Sequence, residues 1–169
     1  NAALVAAAVA EYGALDLVVC NAGITGAAGS WALDDFDRVM AVNLRSMVSL
    51  TNHALPHMAE RTGANVVLIS SLSALRGNAA INAYALTKAG VSQLARNLAV
   101  QWGPKGVRAN AIAPGFIATE LSAPLLADEA FMARRMAMTP LRRAGRVENV
   151  ADTARFLASD AAGFITGQT

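Results

Sequence analysis

Three side chains in the middle of the chain have the types and spacing for proton chemistry: Ser71, Tyr84 and Lys88. Tyr84 and Lys88 are four residues apart in Ala83-Tyr84-Ala85-Leu86-Thr87-Lys88-Ala89-Gly90, at the head of an apolar, Ala- and Leu-rich segment. In a helix that spacing stands them one above the other on one face. A lone phenol has a pKa of about 10 and is a poor acid–base group at neutral pH. An ammonium within a few ångströms favours phenolate and lowers that pKa toward the working range. Ser71 precedes Tyr84 by thirteen residues, and a hydroxyl there suits holding a carbonyl oxygen while the phenol gives its proton. Each has a plainer reading beside this one. Tyr-x-x-x-Lys is a common helix-surface pair, and Ser71 alone is a strand-end or turn serine.

Other residues matter by where they fall. Asn21-Ala22-Gly23 follows a Val- and Leu-rich run; glycine admits close backbone approach and asparagine offers donors and an acceptor, although an ordinary turn uses the same residues. Asn43 lies inside a long helical pattern, where its amide competes for backbone hydrogen bonds. It is either tolerated by packing, the reading residue type favours, or placed to loosen the helix for a water. His53 and His57 have a one-face metal spacing, but no third ligand accompanies them and surface histidines are the simpler reading. A Ser-His-Asp hydrolase built on Ser71 lacks both a histidine route and Gly-x-Ser-x-Gly.

The elements that must position these residues alternate along the chain. Residues 2–12 read as a helix stopped by Gly13. Leu15 to Cys20 reads as a strand buried on both faces, Asn65 to Ser70 as a second and Val107 to Ile112 as a third. A helix from about Asp35 to Arg61, capped by Asp34 and bent at Pro56, joins the first two strands. The Tyr84 helix runs to Trp102 and stops at Gly103-Pro104. Ala113-Pro114-Gly115 breaks the third strand, residues 119–145 make a helical excursion, and Glu148 to Ser159 is the last helix, capped near Val147. Crossovers this long make the sheet parallel: an α/β fold, a Rossmann-type doubly wound sheet of which about three strands are present. Ligands bind such sheets outside the carboxyl ends of the strands, where Asn21-Ala22-Gly23, Ser70-Ser71, Pro114-Gly115 and the Tyr84 helix all fall.

Composition narrows the class. The 169 residues suffice for one domain with a real core, and 54% apolar against 15% charged residues argue against disorder. Fourteen basic and twelve acidic residues leave a net charge of +2, without the basic stripe of a nucleic-acid binder. Apolar runs are too short to span a membrane, and no secretory signal is visible. Cys20 is the single cysteine, so a reducing, cytoplasmic setting is expected. The chain begins at Asn1 within a helical pattern, and we expect it to be an excerpt of a longer chain.

Together these residues resemble the short-chain dehydrogenase/reductase family over essentially the whole chain. The resemblance is carried by Asn21-Ala22-Gly23, Val42-Asn43-Leu44, Ile69-Ser70-Ser71, Tyr84-x-x-x-Lys88 and Pro114-Gly115-Phe116-Ile117-Ala118-Thr119, in order and at the family's spacing. It implies an NAD- or NADP-dependent oxidoreductase interconverting a carbonyl and an alcohol, with residues 1–169 as the C-terminal, catalytic part of a single NAD(P)-binding domain. Tyr84 would be the general acid in reduction and base in oxidation, Lys88 would bind the nicotinamide ribose and lower the tyrosine pKa, and Ser71 would orient the substrate oxygen. Asn43 would hold a water for proton relay. Asn21, Ala22 and Gly23 would lie against the cofactor ribose, the turn at Pro114 and Gly115 would carry the backbone of Ile117 to the nicotinamide amide, and Thr119 would reach the amide or the phosphates.

Two departures accompany it. Cys20 stands where the family usually has a first asparagine, and the glycine-rich phosphate loop at the family's first strand is missing. Among family members the C-terminal half looks most like 3-oxoacyl-(acyl-carrier-protein) reductases and sugar or polyol dehydrogenases. The apolar 119–145 excursion, with Phe131, Met132, Met136 and Met138, suits a small neutral or apolar substrate or simply packs on the core. Lys105 and Arg61 are candidates for docking an acidic carrier protein; Arg134, Arg135, Arg142 and Arg143 read as a solvated face. The family commonly pairs its two long helices, so a homodimer or homotetramer is expected. A non-catalytic NAD(P)-binding sensor or scaffold is the rival reading, and the presence of Ser71, Tyr84 and Lys88 argues against it.

Overall fold

The three Val-, Ala- and Leu-rich runs form one parallel sheet: β1 (Leu17–Cys20), β2 (Asn65–Ile69) and β3 (Arg108–Ile112), in the spatial order β1-β2-β3. The computed structural model describes residues 1–59 and 61–169. In the register Val18 stands beside Val66, and Val66 beside Ala109. Helix α1 (Ala2–Tyr12) precedes β1 and ends at Gly13, whose φ of 70° is the left-handed conformation that suits glycine. Helices α2 (Leu33–Met40) and α3 (Ser46–Met58) lead from β1 to β2, and α4 (Asn82–Trp102) leads from β2 to β3. After β3 come α5 (Ala123–Leu126), α6 (Glu129–Ala137) and α7 (Val147–Ala158).

Alternation along the strands sends side chains to two faces, and helices cover both. On one face Val18, Cys20, Val66, Leu68, Ala109 and Ala111 pack with Val5, Leu55 and Met58 of α1 and α3 and with Val91, Ala95 and Leu98 of α4. On the other, Val67 packs against Leu157 of α7 and Ala162. This is the doubly wound arrangement the sequence predicts. Residues 166–168 run along the free side of β3: Gly167 donates to the Ala109 carbonyl at 2.7 Å and Ala111 donates to the Gln168 carbonyl at 2.8 Å.

Three expectations are corrected. β1 is not buried on both faces: among the described residues α7 packs chiefly on β2 and β3, and Leu17 and Val19 remain more than two-fifths exposed. Asp34 does not cap the helix; it accepts from the Asp35 amide inside α2, which starts at Leu33, while Asp35 accepts from Ala27 and pairs with Arg38. The long helix is not continuous, since a π-helical turn over Ala41–Arg45 separates α2 from α3. Its expected passage through Glu60 lies outside the described residues, and α3 ends at Met58, two residues after Pro56. Among the described residues no helix is long and apolar enough to cross a membrane.

Candidate active site

The carboxyl end of β2 and the first two turns of α4 meet edge to side. Lys88 is 3% exposed, and its Nζ donates to the Ile69 backbone carbonyl at 2.7 Å. The same Nζ lies 5.4 Å from the centroid of the Tyr84 ring, as the four-residue spacing predicts. Ser71, in extended conformation, accepts from the Ser73 amide at 3.1 Å and so caps a short 3₁₀ turn over Leu72–Ala74. Its oxygen is thereby oriented while its O–H stays free to donate. The Leu72 amide donates to the Pro114 carbonyl at 2.9 Å, joining the ends of β2 and β3.

Asn43 is the centre of the π-helical turn and is fully buried. Its Oδ1 accepts from the Ile24 amide and its Nδ2 donates to the Ile24 carbonyl, each at 2.8 Å, and Nδ2 also donates to Thr87 Oγ1 at 3.2 Å. Thr87 in turn donates to the Tyr84 carbonyl at 2.7 Å. The extra residue of the π turn brings the amide round to a loop backbone, which explains why asparagine is acceptable inside the helical run. Both amide protons of Asn43 are engaged, by the Ile24 carbonyl and by Thr87 Oγ1.

Gly23 closes the other side. A Cβ there would stand 3.4 Å from Lys88 Nζ and 3.5 Å from Asn43 Oδ1. Asn21 and Ala22 are exposed at the end of β1, and Gly115 is exposed after β3. Ile117 forms a parallel bridge with Gly145, flanked by bonds from the Ala118 amide to the Gly145 carbonyl and from the Gly145 amide to the Phe116 carbonyl, each 2.9 Å. The 119–145 excursion is therefore tied at its neck. It is helical, as expected, but α6 buries no residue; it leans on the loop after β3 through Phe131 and Phe116, whose ring centroids are 5.6 Å apart. The Thr119 hydroxyl belongs to a capping box with Ser122, so its local role is to start the turn over Glu120–Ser122.

Burial dominates the electrostatics. Desolvation brings Lys88 down from 10.5 to about 8. Burial pushes the Tyr84 phenol above its ordinary value, and the neighbouring Ser71 hydroxyl pulls the other way. The net direction for Tyr84 is opposite to the lowering expected from Lys88, whose ammonium is turned to the Ile69 carbonyl. Cys20, pushed up to about 12 by burial, is an inert core thiol.

The cluster thus gathers Ser71, Tyr84, Lys88, Asn43 and Gly23, with Asn21, Ala22, Pro114 and Gly115 at the neighbouring strand ends. Sequence reasoning gave no role to Thr87 or Gly145, and placed Ser70 at the strand end beside Ser71 without a role of its own. Ser70 and Thr87 lie inside the quoted motifs, but their small hydroxyls carry no local signal of their partners. Of the basic residues considered for docking, Arg61 pairs with Asp16 at 2.7 Å and Lys105 lies over the Trp102 ring at 4.3 Å.

Residues 1–169 match the family model described as enoyl-(acyl carrier protein) reductase. The cis-4-hydroxycyclohexanecarboxylate dehydrogenase of Sinomonas cyclohexanicum is 41% identical over 98% of this chain and 67% of its own length. A 3-oxoacyl-(acyl-carrier-protein) reductase of Thermotoga maritima is 36% identical over 95% of this chain and 65% of its own. The crystal structure of a gluconate 5-dehydrogenase from Burkholderia cenocepacia, in complex with NADP and tartrate, superimposes with a TM-score of 0.94 at 34% identity, covering 99% of this chain and 67% of that one. The chain spans about two thirds of the length of each of these proteins. With the whole chain inside the family model and the sheet matched at this level, it belongs to the short-chain dehydrogenase/reductase family of oxidoreductases.

Proposed function

We propose that this chain is the catalytic part of an NAD(P)-dependent enzyme that interconverts a carbonyl and an alcohol, with Tyr84 giving the proton in reduction and taking it in oxidation. The observation that carries this reading is the convergence of Ser71, Tyr84 and buried Lys88 where β2 meets α4. Asn21-Ala22-Gly23 and Pro114-Gly115 stand at the strand ends beside them, the place where open parallel sheets take nucleotides.

The residues fit a nicotinamide dinucleotide. Lys88 Nζ has one N–H on Ile69 and two donors left for ribose hydroxyls. The absent Cβ of Gly23 leaves a concavity between that ammonium and Asn43. Asn21, Ala22, Pro114, Gly115, the Ile117 backbone and Thr119 are assigned to the same ligand, NAD or NADP. When bound, it supplies or accepts the hydride. Ser71 donates its free O–H to the substrate oxygen. Tyr84, above its ordinary pKa, stays protonated at neutral pH and is ready to donate; Lys88 then stabilises the phenolate left behind. Asn43 holds the loop after β1 against α4, and any relay water it keeps is held through oxygen acceptors.

The excursion presents Leu121, Leu125 and Met138 as exposed apolar side chains, which supports a small neutral or apolar carbonyl compound. A carrier-bound acyl chain falls within that class, in line with the Thermotoga relative. Exposed Val48 of α3 and Leu86 of α4 support pairing of copies through these helices, and a reduced, buried Cys20 supports a cytoplasmic setting. The test is a fluorescence titration with NADH and NADPH, followed by turnover of a panel of cyclic ketones, oxo-acids and oxoacyl thioesters. Saturable binding with turnover of one class is expected. Binding with no turnover across the panel would favour a sensor.

A further inference from the structure

Ser70 is 2% exposed and sits between Ile69 and Ser71 at the end of β2. Its hydroxyl donates to the Lys88 backbone carbonyl at 2.7 Å and meets the hydroxyl of buried Ser92 at 2.9 Å. Three consecutive residues of one strand end therefore hold the working part of α4. The Ile69 carbonyl takes the Lys88 ammonium, Ser70 takes the Lys88 carbonyl, and Ser71 stands beside the Tyr84 phenol. Lys88 is gripped at both of its ends.

Further along α4, Val91, Ala95 and Leu98 pack against other apolar side chains of the core. Such contacts are non-directional and tolerate small slides. A buried hydrogen bond of 2.7 Å does not, because the interaction weakens steeply with geometry and an unmet group has no water to turn to. The Ser70 bridge acts at the turn that carries Lys88, where a small slide would separate Tyr84 from Ser71.

We propose that Ser70 is a positioning residue of the reaction: its bridge to the Lys88 carbonyl and the Ser92 hydroxyl sets the height of the Tyr84–Lys88 turn against Ser71. The inference rests on the reading of Tyr84 as the proton donor. Misplacement of a reacting group by about an ångström costs on the order of 100-fold in rate. Ser70→Ala is therefore expected to lower kcat by about 10–100-fold with the dinucleotide KM close to that of the unsubstituted chain. It also raises the apparent pKa of the kcat profile, since Lys88 then supports phenolate less well. Ser70→Thr, which keeps the donor, restores both; Ser70→Cys, which fills the space with a weak donor, behaves like the alanine variant.

The experiment measures kcat, KM and the pH profile of these variants beside Tyr84→Phe in the full chain, with melting curves. A Ser70→Ala protein that melts lower but keeps kcat and the pH profile overturns the proposal. If the alanine variant does not fold, Ser70→Cys decides: unaltered kcat overturns the proposal, and a lowered kcat with raised pKa supports it. Loss of turnover in Tyr84→Phe together with unmoved Ser70 variants removes only the positioning role. Full turnover in Tyr84→Phe removes the proton-donor reading and the positioning role together.

Discussion

Lys88 donates its ammonium to the Ile69 carbonyl at 2.7 Å with only 3% of its surface left to solvent, so a charge has exchanged its water for one neutral acceptor. Folded Lys88 binds its proton less tightly than the unfolded side chain, at about 8 against 10.5. Between those values unfolded chains hold more protons, and the stability associated with this residue rises with pH. Below pH 8 both states are protonated and the burial penalty is complete, on the order of 3 kcal/mol. Lys88→Met is therefore expected to melt at or above the unsubstituted chain at neutral pH, with the difference shrinking toward pH 10, while turnover is lost. Melting curves across that range check it; a variant several degrees less stable at neutral pH would contradict the penalty.

Asn43 satisfies both backbone groups of Ile24 and one hydroxyl of α4 from inside the π turn. Truncation leaves both backbone groups of Ile24 without their partner in a part-buried site, while Thr87 keeps its bond to the Tyr84 carbonyl. Asn43→Ala is expected to cost about 2–4 kcal/mol in stability. It should also weaken dinucleotide binding, because the loop carrying Gly23 loses its tether to α4. Denaturant unfolding together with NADPH titration reads both effects, and unchanged affinity in a folded variant would separate the clamp from the site.

Gly145 meets Ile117 so closely that a Cβ on it would stand 2.5 Å from the Ile117 Cδ1. Gly145→Ala must displace that side chain, for a loss of about 1–3 kcal/mol. Ile117→Val removes the clashing methyl. The double variant should recover a large part of the stability, and a double-mutant cycle measures the coupling. Strictly additive losses would mean that the excursion's neck does not depend on this contact.

Ser71 has its oxygen oriented by the Ser73 amide and its hydroxyl beside the Tyr84 phenol. Ser71→Ala is expected to lower kcat by about 100-fold, the scale of a lost transition-state donor, with dinucleotide affinity unchanged. Isothermal titration beside steady-state rates distinguishes this from a general loss of structure.

The strands and α4 were legible because their signals are local. Val- and Leu-rich runs set β1 and β2, and the stretch broken by Ala113-Pro114-Gly115 set β3, to within one or two residues, and Gly103-Pro104 stops α4 where predicted. The juxtaposition of Tyr84, Lys88 and Ser71 followed from a helical spacing beside a strand end. The π turn was not legible, because its cause is a set of partners, Ile24 and Thr87, 19 and 44 residues away from Asn43. The exposed face of β1 was hidden for a similar reason: Leu17 and Val19 are as apolar as Val66 and Val67, and what covers a strand's face is set by distant elements such as α7. Ser70 and Thr87 looked like filler between named residues, since a buried hydroxyl declares itself only through its acceptor.

The most direct test of the central claim is single-turnover reduction by Tyr84→Phe with bound NADPH, on the carbonyl substrate found in the panel. Phenylalanine keeps the ring over Lys88 and removes only the hydroxyl. The account predicts dinucleotide affinity within about threefold of the unsubstituted chain and a rate lower by about 100-fold or more, the range for a lost general acid. A rate within a few-fold of the unsubstituted chain would contradict it and move the proton donor away from Tyr84.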